Sequence, residues 1–244
     1  MKAVLAIFKR EFAAYFATPI AYVFIVIFLL AMGAFTFYVG HFYDNGVANL
    51  QVFFGYHPWL YLFLVPAVGM RLWAEERRLG TIELLLTLPV PIWASVLGKF
   101  LAAWAFIGVA LLFTFPIWIT VNYLGNPDNG VILAGYFGSF LMAGGYLAIS
   151  AAISAMTNNQ VIAFVVSVVV CFLFTISGAP LVLDLFQVWA PIVLVNTISS
   201  FSFLTHFQAI SSGVIDMRDL IYFGSLIALF LAVNVVVIDL NKTA

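Results

Sequence analysis

The densest group of reactive side chains lies between Met70 and Pro91, MRLWAEERRLGTIELLLTLPVP, where Glu75, Glu76, Arg77 and Arg78 stand together ahead of Gly80, Thr81 and Glu83. Two acids beside two bases, with no clustered nucleophile or metal-ligand set, suit recognition rather than catalysis. Arg71 to Arg78 extend a helix into water, and Gly80 is its natural stop. Thr81 is placed to cap a new short helix, with Glu83 in a first turn whose dipole favours an acid. Leu84 and Leu85 begin the apolar face of that helix, and Pro89 and Pro91 end it. A short amphipathic helix held between a rigid turn and two prolines suits a groove on a soluble partner. Simple anchoring of a helix end by charge would explain the arginines, but not the paired glutamates or the leucine-rich turn.

Other chemistry is thinly represented. His41, His57 and His206 lack metal-ligand spacing, Cys171 has no nearby base, and no G-x-S-x-G elbow exists. The phosphate-loop pattern G-x-x-x-x-G-K-[ST] is missing, because Gly98-Lys99 is followed by Phe100. This chain thus offers no phosphate loop of its own for hydrolysing ATP. Asp184 falls in an apolar segment near its outer boundary, as a pathway residue or a wet rim. Asp216, Arg218 and Asp219 precede the last apolar run. They are candidate contacts for a charged substrate or an extracytoplasmic partner, although Asp216 as a helix cap and Asp219 in the first turn is the simpler reading. Asn234 lies inside that last run, where an amide joins helices by hydrogen bonding.

The elements that must carry these residues are membrane helices. Of 244 residues, 65% are hydrophobic and 8% charged, with a mean hydropathy of +1.16. A chain this apolar cannot cover a globular surface with polar groups, so lipid is its solvent. With a net charge of −1, there is no basic patch to suggest nucleic acid. The expected fold is all-α and polytopic, one transmembrane domain over 1–244 with six spans near 20–40, 50–74, 92–122, 131–156, 161–177 and 219–239. The first run is too long for a cleaved signal segment and reads as an uncleaved span. Residues 1–18 read as an interfacial amphipathic helix with Leu5, Phe8, Phe12 and Phe16 on its apolar face. Residues 178–213 are broken by Gly178, Pro180, Pro191 and Asn196 and read as a re-entrant extracytoplasmic hairpin. Gly144, Ala148 and Ala152 form a stripe of small residues for close helix packing. Eight of the nine Lys and Arg residues fall on one side of this layout and Arg218 alone on the other, so both termini face the cytoplasm.

The stretch Glu75-Glu76-Arg77-Arg78-x-Gly80-Thr81-x-Glu83-Leu84-Leu85-x-x-x-Pro89, followed by Gly98-Lys99, resembles the loop of type-2 ABC transporter (ABC-2-type) permeases. The stretch from Thr205-His-Phe-Gln to Asp216-Met-Arg218-Asp219-Leu-Ile-Tyr222 is similar to the gliding-motility and nitrous-oxide-reductase-maturation subgroup. This resemblance implies a dimeric membrane half, homodimeric or paired with a second permease, of an ATP-driven transporter in the bacterial inner membrane. It makes 71–91 a cytoplasmic coupling loop on an ABC ATPase present in two copies, which would carry the ATP and Mg; no cofactor is bound by this chain. A periplasmic accessory protein is a further expected partner, with membrane lipids around the spans. Export and mechanical transduction both fit. An ion-coupled carrier or channel is the alternative class, and it would need ionisable groups near the midplane.

Overall fold

The structure, a computed structural model, describes residues 2–44, 46–87, 90–187 and 191–240, and among them every regular element is a helix. The first, α1 (Lys2–Phe16), is amphipathic, and Pro19 then opens α2 (Pro19–Gly33) at the position where its missing N–H costs nothing. The helix continues through a wider π-helical stretch, Ala34–Val39, closed by a bond from the Gly40 N–H to the Phe35 carbonyl at 2.7 Å. The chain returns as α3 (Gln51–Gly69), bends at Met70, and runs on as α4 (Arg71–Leu79) and α5 (Thr81–Thr87). It goes out again through α6 (Ile92–Leu112) and α7 (Phe115–Leu124), and back through α8 (Asn129–Met156). After α9 (Gln160–Ile176) come three short helices, α10 (Pro180–Gln187), α11 (Ile192–Ser199) and α12 (Phe203–Ser211), and finally α13 (Met217–Leu240).

Among the described residues five helical stretches are long and apolar enough to cross a membrane: Pro19–Val39, Gln51–Leu79, Ile92–Leu124, Asn129–Met156 and Met217–Leu240. The expected fifth span is α9, whose 17 residues rise about 26 Å, slightly under a hydrocarbon core of about 30 Å. Helix α8 is the central post. Its small residues let neighbours come close: a Cβ on Gly144 would lie 2.9 Å from the Trp104 ring, and one on Gly145 2.6 Å from that of Phe203. Ala148 and Ala152, on the same stripe, are fully buried.

Two local expectations are corrected. The packed face of α1 carries Ile7, Phe8, Glu11, Phe12, Tyr15 and Phe16, whereas Leu5 is 54% exposed. The face is set by contact with α6 and is rotated from the all-hydrophobic choice. The Thr81 hydroxyl points back to the Glu76 carbonyl oxygen, at 3.3 Å, and to the Glu76 carboxylate rather than forward into α5. In 178–213, α10 and α11 pack on one another, and each is about 12 Å long, far too short for a span. Pro89 lies outside the described residues, as do the side chains of Leu84 and Leu85.

Candidate functional site

The charged residues of the α4–α5 elbow are held from below by α8. Gly69 ends α3 where a Cβ would meet the Ser150 Cβ at 2.4 Å, so only glycine allows this approach. One turn further along α8, the Ser154 hydroxyl donates to the Met70 carbonyl at 2.7 Å and accepts the N–H groups of Trp73 and Ala74 at 3.1 and 3.0 Å. The first turn of α4, which has no intrahelical partners for these donors, is thus capped by a side chain from a different helix. Leu72, Trp73 and Ala74 are buried behind it. Arg71 makes a two-pronged pair with Glu75, at 2.8 and 3.2 Å. Gly80 ends α4 at φ 72°, a left-handed conformation that glycine adopts freely.

Lys99 fastens the elbow from the other side. It sits two turns into α6 and is 3% exposed, with Nζ 2.8 Å from Glu76 Oε1 and 3.2 Å from Glu11 Oε1. Its ammonium also lies 5.6 Å from the centre of the Trp73 ring. Three elements distant in sequence, α1, α4 and α6, therefore share one buried cation. The junction is flush, because a Cβ on Gly98 would fall 2.8 Å from Ile7 Cγ2 and 3.2 Å from the Val4 carbonyl oxygen. Tyr15 completes the α1 contact by stacking on Phe106 at 4.8 Å. Burial, reinforced by the Glu11 carboxylate, pushes its phenol above the ordinary range and keeps it neutral.

What remains outward is short and distinct. Leu79 is 62% exposed at the corner, beside exposed Arg78, Gly80 and Glu83. Arg77 has Nε and one Nη shielded from solvent without a hydrogen-bond partner among the described residues. Among those residues no cluster of His, Cys, Asp and Glu could hold a metal ion. The charges thus pair around a buried lysine and leave an apolar corner, Leu79, outward.

The family model described as ABC-2 family transporter protein matches residues 5–240. The chain belongs to this family. No curated protein matches it. This ABC-2 protein is accordingly a multi-pass membrane permease component of an ABC transporter, in a family generally without catalytic activity of its own.

At the opposite end of the ABC-2 permease the four other sequence-selected residues do not converge. Asp184 is exposed on α10, and Asp216 accepts the Arg218 N–H at 3.1 Å as a cap on α13, leaving the Arg218 side chain exposed. Asp219 turns inward, with Oδ1 2.6 Å from His206 Nδ1, while His206 Nε2 faces the Ser200 carbonyl at 2.9 Å. Tyr222 stacks on that imidazole at 4.0 Å and donates to the Phe201 carbonyl. His206 thereby ties α12 to α13 and to the end of α11.

Neither Lys99 nor Ser154 was selected from sequence as a functional residue. Lys99 carries two signals, a lone lysine within an apolar helix and its place after Gly98 in the resembling stretch; a serine in a helix rich in small residues carries none.

Proposed function

We propose that the α4–α5 elbow is the coupling element on which a separate ABC ATPase docks, and that nucleotide-driven movement of that ATPase is passed into the bundle through α8 and α6. The observation that carries this reading is the two-sidedness of the elbow. Its inner side is fastened by Ser154 and Lys99, and its outer side offers Leu79, Gly80 and Glu83. A push on such an element moves the helices rather than bending a loop.

In the full reading, two ATPase copies carry the ATP and Mg, and two permease halves, identical or not, form the membrane unit of the bacterial inner membrane. Helix α9 serves as the sixth span, both termini face the cytoplasm, and α10–α11 form the extracytoplasmic hairpin near Asp184. The gliding-motility-type subgroup, with work that is either export or mechanical, and a periplasmic accessory partner at Asp216, Arg218 or Asp219, complete it. These finer assignments rest on the resemblance of 75–99 and 205–222 and on the charge asymmetry of the loops.

The test is to express the tagged chain with its chromosomal neighbours, purify it in mild detergent and assay ATPase activity. A roughly stoichiometric ATPase should co-purify and be lost from Leu79→Asp and Glu83→Lys variants whose thermal midpoints are unchanged. An ATPase retained with full activity by both variants, or a chain that purifies alone, overturns the docking assignment.

A further inference from the structure

Where α1 turns into α2, the protein encloses a cleft of about 390 Å³ bounded also by α3, α4, α6 and the start of α9. Its walls divide by chemistry. Ala21, Phe24 and Phe106 are its apolar lining, joined by Ile20, which is 56% exposed. Its polar lining is Arg71, Glu75 and Arg78 of α4 and Gln160 at the start of α9, which packs against α4.

The charges leave one cation over. Glu75 is neutralised by its two-pronged bond to Arg71, whereas Arg78 makes no hydrogen bond or ion pair among the described residues. Gln160 presents an amide Nε2 that is shielded from solvent and has no partner there either. A buried donor without an acceptor is costly, and most such donors have one. An exposed, unpaired guanidinium and a shielded amide N–H lining one cleft suit an anionic oxygen acceptor.

We infer that this cleft binds a phosphate group, held by Arg78 and Gln160, and that its apolar wall makes a membrane phospholipid the carrier of that phosphate. The position fits, since the cleft lies at the charged end of the bundle where helix ends meet the headgroup layer. The bound headgroup would sit beneath the α1–α2 corner and beside α4, so that lipid and elbow share a wall. This goes beyond the docking reading and does not depend on it.

The experiment is native mass spectrometry of the full-length chain in mild detergent, with whatever subunits co-purify. It is titrated with dioleoyl phosphatidylglycerol, with dioleoylglycerol, which lacks the phosphate, and with inorganic phosphate. Expected is saturable retention of phosphatidylglycerol but not of dioleoylglycerol. Arg78→Gln and Gln160→Glu should each weaken it about tenfold or more, as loss or reversal of a charge-assisted contact requires. Lys9→Gln, which removes an exposed charge outside the cleft, should leave it unchanged. Thermal midpoints show whether each variant is folded, and two chemically different variants guard against one that is not. Equal retention of dioleoylglycerol, or wild-type binding by both folded variants, overturns the phosphate site. Displacement of the lipid by millimolar inorganic phosphate, with phosphate alone stabilising wild type but not Arg78→Gln, overturns the lipid as carrier and assigns the site to a soluble phosphate.

Discussion

A lysine in a membrane helix ordinarily bends its flexible stem back toward water. Lys99 cannot, because α1 lies across it, and it takes the carboxylates of Glu11 and Glu76 instead. Breaking a buried pair by removing one partner costs about 3–5 kcal/mol; here both carboxylates remain about a fifth exposed, at 19% and 21%, which favours the lower end. Lys99→Met should therefore destabilise the protein by about 3 kcal/mol and lower its thermal midpoint in detergent by about 6–12 °C. An unchanged midpoint would show that the cation does not hold the three helices together. Ser154 acts by hydrogen bonding alone, so Ser154→Ala should strand the Trp73 and Ala74 donors at a cost of about 1–3 kcal/mol. Amide exchange read at those two residues should quicken, whereas unaltered protection would mean that α4 is capped by some other group.

At the scale of elements, legibility followed sequence distance. The α4–α5 elbow could be read because its signals are local: a charged run, then Gly80 in the left-handed conformation within a few residues. The period of α1 could be read too, but not its orientation about its axis, since Leu5 is as apolar as Phe8 and only the surface of α6 decides between them. Lys99 joins residues 88 and 23 positions away, separations that no periodicity contains. Asn234 shows the reverse failure. A helix-joining hydrogen bond was the expectation, yet both amide atoms are buried with no partner among the described residues. Replacing an unsatisfied buried amide by an apolar group of similar shape removes its desolvation cost, so Asn234→Leu should be neutral or stabilising by about 1 kcal/mol. A large loss of thermal stability would reveal a bond made only in the assembled transporter.

For the whole molecule, the two ends differ in kind: one is a lattice of charges around Lys99, the other a set of short helices held by His206 and Asp219. Single cysteines test which end faces the cytoplasm, and Cys171 is buried and silent in such an assay. In intact cells a membrane-impermeant maleimide should label Val214→Cys and not Ala13→Cys, both exposed positions; the opposite pattern would invert the topology. The Lys99 junction also bears on how the chain is made. Glu11 and Glu76 are both synthesised before Lys99, so by the time α6 leaves the ribosome its two counter-charges already wait at the membrane surface. The same order holds at the other end, where His206 precedes Asp219. Each buried pair is thus completed by its later-made member, which meets partners that arrived earlier.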